Sequence, residues 1–144
     1  MNKSGVVIGL DIGARRIGVA RGDLEVRIAT PLPALTNDET IFANICQLVE
    51  KNHAEIIVIG LPRDAKGQET AQSQISRNFA TELANHLAIK ICLEDESLTS
   101  VLAEKNLRAR KNFQVSMLRD GALDSEAATI ILQDFLDNQR EVEI

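Results

Sequence analysis

The chain has 144 residues, 44% of them hydrophobic and 26% charged, with a formal net charge of −5 at neutral pH. That length suits one domain with a core of its own, and the composition is that of a globular protein rather than a disordered or fibrous one. No apolar run is long enough to span a membrane and the first residues carry no secretory cleavage signal, so the expectation is a cytoplasmic protein with no membrane partner.

Val6 to Ile12 is almost continuously apolar and rich in β-branched residues, which predicts a central strand buried on both faces. Gly13-Ala14-Arg15 can turn the chain, Ile17 to Arg21 reads as a second strand antiparallel to the first, and Gly22-Asp23 turns it again. Val26 to Leu32 reads as a third strand, with Pro31 and Pro33 placing its end at a sheet edge because proline cannot donate to the ladder. Thr36-Asn37-Asp38-Glu39 matches a capping box, and Ile41, Phe42, Ile45, Leu48 and Val49 follow at helical spacing, to about Asn52. Glu55 to Gly60 predicts another buried strand, LPRDAKGQ a loop, Glu69 to Leu87 a helix, and Ile89 to Leu93 a fifth strand. Leu98 to about Arg108 and Asp124 to Asn138 read as the last helices, the second burying Ala127, Ala128, Ile131, Leu132, Phe135 and Leu136. Residues 139–144 are expected to fray, leaving 1–138 as a single domain.

The order β-β-β-α-β-α-β-α-α predicts an α/β fold: one mixed five-stranded sheet, three antiparallel strands and then parallel ones, flanked by helices. Cys46 and Cys92 lie in apolar segments without a metal-ligand partner at short spacing and read as buried thiols; His53 and His86, at predicted helix ends, receive no role. The net charge conceals a polarised chain. Residues 100–119 carry Lys105, Arg108, Arg110, Lys111 and Arg119 against the single acid Glu104, whereas 120–144 carry seven acids against Arg140.

The stretch GLDIGARRIGVARGD, residues 9 to 23, combines four glycines with one carboxylate, Asp11. It matches neither GxGxxG nor GxxxxGK[ST], and it leads into a strand where a phosphate loop should open a helix. An Asp-x-Gly hairpin also begins certain ATPases, but those need two such domains and this chain has room for one. A metal reading fits better. Asp11 lies on the central strand, Glu94, Asp95 and Glu96 follow the fifth strand, and Asp124 opens the last helix. The crevice of an open α/β sheet lies beyond the carboxyl ends of its parallel strands, where these acids can meet. Three converging carboxylates repel, raising the pKa of at least one unless cations bind, and an all-oxygen set suits Mg²⁺ or Mn²⁺. Each acid also has an ordinary explanation: Asp11 as a turn cap, Asp124 as an N-cap, and residues 94–96 as a solvated loop. The combination, with a basic segment between the last two, favours the metal. Strand parity does not separate Glu94 from Glu96.

Taken in order, GLDIGARRIGVA, VIGLP, DESLTS and ALDSEAATIIL resemble the YqgF/RuvX family over nearly the whole chain. This bacterial family has an RNase H-like fold, and its members are described as Holliday junction resolvases or as nucleases that mature the 5′ end of pre-16S ribosomal RNA. The resemblance implies three metal-binding, catalytic acids, Asp11, Glu96 and Asp124, and so selects Glu96. This sequence departs from the family pattern at three places. Ser97 stands where an arginine is usual, Arg119-Asp120-Gly121-Ala122 replaces a lysine or glycine-lysine pair, and Arg63-Asp64-Ala65-Lys66-Gly67 replaces an Asn-Met-Asp-Gly-like loop.

The expected function is therefore metal-dependent hydrolysis of phosphodiesters in structured nucleic acid, foremost pre-16S rRNA. Junction resolution and a non-catalytic nucleic-acid-binding or transcription-associated role are the alternatives. Phosphate contacts are expected from Arg15 and Arg16 at the first hairpin, from Arg63 and Lys66, and from Lys105, Arg108, Arg110 and Lys111. With no Trp or Tyr, and Phe42, Phe79 and Phe135 on core faces, Phe113 is the candidate for stacking on a base. The chain is expected as a monomer or homodimer; junction resolution needs two paired sites, so a strict monomer would favour RNA.

Overall fold

The computed structural model describes residues 5–96 and 99–142. Strands β1 (Val6–Ile12), β2 (Arg16–Asp23), β3 (Thr30–Thr36), β4 (Ala54–Pro62) and β5 (Lys90–Glu96) form one sheet in the order β3-β2-β1-β4-β5. β1 pairs antiparallel with β2, β2 antiparallel with β3, and β4 runs parallel to both β1 and β5. Helices α1 (Ile41–Asn52), α2 (Ala71–Ala84), α3 (Thr99–Arg108) and α4 (Ala122–Val142) complete the fold, with a 3₁₀ turn at Val115–Leu118 before α4. This is the mixed five-stranded α/β sheet expected from the sequence. Among the described residues no helix is long and apolar enough to cross a membrane.

The run of β-branched residues in β1 earns its central place because alternate side chains feed two separate cores. Ile8, Leu10 and Ile12 pack with Ile57 and Ile59 of β4, with Ile41, Ile45 and Val49 of α1, and with Leu83 of α2. Val7 packs on the other face with Ala20, Val58 and the α4 residues Ala128, Ile131, Leu132, Phe135 and Leu136. By the same parity Gly9 and Asp11 lie on the α4 side.

Glycines let α4 lie against that face. A Cβ on Gly18 would sit 1.9 Å from the backbone oxygen of Asp124, one on Gly9 would sit 2.8 Å from Leu132 Cβ, and one on Gly22 would sit 2.8 Å from Leu136 Cδ1. Asp124, Ala128, Leu132 and Leu136 recur every fourth residue, so a single ridge of α4 rides a track that strands β1 and β2 leave bare. At the head of that track Ser125 Oγ accepts the Val19 N–H at 3.1 Å, where the β2–β3 register shifts between Ile17 and Val19.

Several expected boundaries move, each for a local reason. β3 begins at Thr30 rather than Val26. The Asp23 carboxylate accepts the N–H groups of Glu25 and Val26, Arg27 turns with φ 62°, and Gln133 of α4 bonds both Ala29 N–H and Arg27 C=O at 2.9 Å. That polar arrangement outcompetes strand pairing and leaves Val26 and Ile28 exposed. Thr36 ends β3 instead of capping a helix; Asp38 folds back onto Thr40, and α1 starts at Ile41. A capping box does form at α2, where Thr70 and Ser73 exchange bonds, so that helix spans Ala71–Ala84 and not Glu69–Leu87. β4 and β5 run on to Pro62 and Glu96, so Glu94, Asp95 and Glu96 are strand residues rather than a loop beyond one. Helix α4 extends at both ends, from Ala122 past Asn138 to Val142, in place of a tail fraying from 139. Cys46 and Cys92 are half-buried rather than buried. Ser97 lies outside the described residues.

The close approach at Gly18 sets a test. Gly18→Ala should lower unfolding stability by about 3 kcal/mol or more, because backbone rather than a flexible side chain blocks the added methyl. Urea denaturation measures the loss, and an unchanged midpoint would mean α4 does not seat as described.

Candidate active site

Each acid reaches the site by a rule of its element. Asp11 is the penultimate residue of β1, paired with Gly18 of β2, and points to the α4 face. Glu96 ends β5, in register with Pro62 of β4; a Cβ on Gly60 would sit 3.0 Å from Glu96 Oε2, so the bare backbone of β4 admits that carboxylate. Glu94, one pleat earlier on the same face, goes elsewhere: it accepts from Asn138 Nδ2 of α4 at 3.2 Å and stands near Asp134. The choice that strand parity left open is thus made by position along β5. Asp124 is not the N-cap of α4 but its third residue; Asp120 performs the capping, accepting the Ala122 N–H at 3.1 Å. Freed from that duty, the Asp124 carboxylate faces the β1–β2 hairpin.

The three acids act on one another. Burial chiefly, then the charge of Glu96, then that of Asp124, push the Asp11 carboxyl up from 3.8 to about 7. One cation answers this charge from within the chain: Arg16 Nε donates to Asp124 Oδ2 at 3.1 Å. Among the described residues no three His, Cys, Asp or Glu side chains stand close enough to hold one ion as they are. The donor set nevertheless fits a hard divalent cation, with oxygen ligands throughout and a central carboxyl whose ionisation is opposed by burial and by two neighbouring acids. For Asp124 to join such a set it must exchange Arg16 for the ion.

The remaining predicted contacts fall into distinct places. Arg15 is exposed on the hairpin beside Arg16. Arg63 is committed elsewhere, donating to Asp95 Oδ1 at 2.9 Å and to Gly67 C=O, with Glu69 at 4.0 Å; Lys66 is exposed on the same loop. In the basic segment Arg108 pairs with Glu104 at 3.0 Å and lies over the Phe113 ring, 5.5 Å from its centroid, which covers one stacking face. Arg110 grips Glu126 through Nε and Nη2, while Lys105 and Lys111 are exposed. The segment is therefore less a field of free cations than a set of ion pairs. Exposed pairs such as Arg108–Glu104 are weak enough for a phosphate to compete.

Sequence reasoning missed three supports. Gln72 of α2 donates to the Ile12 carbonyl at 3.0 Å and pins the strand end next to Asp11. Ser125 and the Arg110–Glu126 pair fasten the head of α4 and the basic segment to the sheet and to each other. Glu126 was legible only as one more acid, though its position one turn before Ile130 on a helix packed against the sheet gave the single clue that it would be buried.

Comparison with known proteins gives the family and the fold. A family model described as "RuvX: Holliday junction resolvase" matches residues 5–138. A protein of Sulfurihydrogenibium sp. named "Putative pre-16S rRNA nuclease" is 41% identical over 133 residues, covering 91% of this chain and 89% of that one. A protein of Synechocystis sp. with the same name is 40% identical over 143 residues, covering 97% and 92%. Among solved structures, Thermus thermophilus RuvC in complex with a Holliday junction substrate superposes with a TM-score of 0.58 at 13% identity, covering 95% of this chain and 96% of that one. The fowlpox virus resolvase with Holliday junction DNA gives 0.57 at 9%, covering 93% and 98%. At such identities these two likenesses show the shared fold alone.

The raised Asp11 carboxyl makes stability depend on pH. Between pH 3.8 and about 7 the unfolded chain has released this proton and the folded chain retains it, so stability falls as pH rises through that window and levels off above it. Asp11→Asn removes the burden. Its stabilisation should grow from pH 5 to 7, reaching roughly 4 kcal/mol as an upper bound, and then stay flat. Urea titrations of both proteins across pH 5–8.5 measure it; a gain independent of pH would refute the raised Asp11 carboxyl.

Proposed function

Because the chain belongs to the RuvX family, a family of nucleases and resolvases, we propose that it is a divalent-metal-dependent endonuclease whose substrate is the 5′ leader of pre-16S rRNA. The observation that carries this reading is the charge of Glu96 and Asp124 bearing on a half-buried Asp11. Asp11, Glu96 and Asp124 would hold Mg²⁺ or Mn²⁺. A bound ion of this kind supplies Lewis acidity, favouring deprotonation of the attacking water and offsetting charge on the phosphate.

The chain's own groups do the rest. Asp11, fixed by the β1–β2 pairing and by Gln72 behind Ile12, is the carboxylate whose ionisation depends on a cation arriving. Arg16 neutralises Asp124 until then, and on release it has the length and charge to hold a phosphate oxygen. Arg15, Lys105 and Lys111 supply exposed charge along the backbone of the substrate, and Arg108 joins them once a phosphate displaces Glu104. Arg63 contributes through the β4–α2 loop only after leaving Asp95.

The RNA substrate is favoured because the relatives near 40% identity bear that name. The family description and the junction-bound RuvC favour the second reading, cleavage of branched DNA. Both are tested side by side on a precursor rRNA leader and a four-way DNA junction in Mg²⁺. The leader should be cut, and Asp11→Asn should reduce cleavage by at least about a hundredfold while remaining folded. Retained cleavage in that variant would overturn the assignment, and junction cleavage without leader cleavage would select the second reading.

The Arg16–Asp124 pair yields an independent check. Arg16→Ala should bind Mn²⁺ about two- to fivefold more tightly, since the ion no longer competes with a guanidinium, while nucleic-acid affinity in Ca²⁺ falls. Titration calorimetry reads the first and gel shift the second. Unchanged metal affinity would place Asp124 outside the ion's ligands.

A further inference from the structure

A cavity of about 360 Å³ opens between β3 and the segment that joins α3 to α4. It lies close to the Arg16–Asp124 pair. Ser125 lines it next to Asp124, and Ala34, also in its wall, flanks Gly121 together with the Arg16 side chain: a Cβ on Gly121 would lie 2.9 Å from Ala34 Cβ and 3.2 Å from Arg16 Cδ. Its volume is at the small end of ligand pockets, which suits one ring system and not a base pair.

The lining has two characters. Pro31 and Pro33 of β3 and Met117 of the 3₁₀ turn give flat or soft apolar walls. The polar lining residues are Arg110, Asn112, Asp120, Ser125 and Glu126; Ser125 Oγ is taken by the Val19 N–H and Glu126 by Arg110. Arg110 spends Nε and Nη2 on Glu126 and keeps Nη1 outside that pair; Asp120 spends Oδ1 on the Ala122 N–H and keeps Oδ2. Donors and an acceptor therefore face a space between apolar walls. The carboxylate of Asp120, with Glu126 behind Arg110, weighs against an anion settling inside. A neutral heterocycle carrying both acceptors and N–H donors satisfies every one of these groups.

We propose that this cavity receives a single unstacked base of the nucleic-acid substrate, adjacent to the phosphate presented to Asp11 and Asp124. The proposal rests on the nuclease reading for the identity of the ligand. The pocket would thus favour strands whose base next to the cut is free to leave its stack, as in a single-stranded leader or at a junction, over continuous duplex. It also supplies the base contact that half-covered Phe113 does not.

The test needs neither metal nor cleavage. Nucleoside 5′-monophosphates, ribose 5-phosphate and inorganic phosphate are titrated in turn into the full chain and followed by ¹⁵N–¹H NMR. Nucleotides should shift the amides of Ala34, Asn112 and Met117 saturably, with affinity about tenfold above ribose 5-phosphate, the discrimination expected of one well-formed polar contact to a base. Ala34→Phe, which fills the cavity, should abolish these shifts. Asn112→Ala, at an exposed position that the fold does not need, should weaken the nucleotide response and leave that of ribose 5-phosphate alone. Equal responses to nucleotide and ribose 5-phosphate, shifts confined to Lys105 and Lys111, or no response would each overturn the proposal. Nucleotide binding and leader cleavage are read separately. Leader cleavage without a nucleotide response therefore counts against the pocket alone, and a nucleotide response without cleavage counts against the nuclease reading alone.

Discussion

The contact between Gly18 and the first turn of α4 is the constraint on which the rest of the structure depends. Backbone meets backbone there, with no room for a methyl group, and the helix's rotation and height over the sheet are fixed together. Were α4 one side chain further away, Asp124 would lose its place beside Asp11, and Ser125 would release the Val19 N–H. The glycines of the first hairpin thus serve packing. They clear one stripe of a sheet that is otherwise densely β-branched, and the acid on that stripe, Asp11, is left under the helix that brings its partner.

That packing has an electrostatic consequence. A carboxylate half-buried beneath a helix, with two others in reach, is costly to ionise, and Arg16 offsets that charge through Asp124. Arg16 pairs with the outer acid and leaves the inner one unbalanced. The geometry is stable without a bound ion because Asp11 can stay protonated near neutrality, and it is poised for an ion because the same proton is easily given up. The cavity lies near the same pair, since Arg16 and the cavity-lining Ala34 both flank Gly121.

Much of this was legible in the sequence, and the exceptions share a cause. The β-branched runs of β1 and β4 and the four-residue spacing in α2 and α4 report burial directly, so element order and sheet class follow from them. Asp11 stood out because a charge interrupts an apolar strand. Asp124 and the acids at 94–96 stood out only in combination with Asp11, and the choice of Glu96 came from family resemblance, since nothing local distinguishes it from Glu94. What escaped was decided between distant segments. Val26 and Ile28 look like strand residues until Asp23 and Gln133 claim the backbone around them. Thr36 looks like a cap until β2 claims it as a strand partner. Arg110 looks like a free phosphate ligand until α4 presents Glu126. Partners supplied by another element, 16 residues away for Arg110 and 104 for Ala29, leave no periodicity to read.

That separation in sequence also governs when the protein becomes competent. Arg16 and Asp124 are 108 residues apart, and Val19 and Ser125 are 106 apart, so the site is closed when α4 docks on β1 and β2. Loop-closure entropy places such contacts late in folding, after the local α and β units have formed. A chain in which α4 has not yet docked can assemble β1, β2 and β3 and display Asp11, yet it lacks the ridge that covers the glycine track. The acids therefore meet with the last long-range contacts of folding and not with the local units.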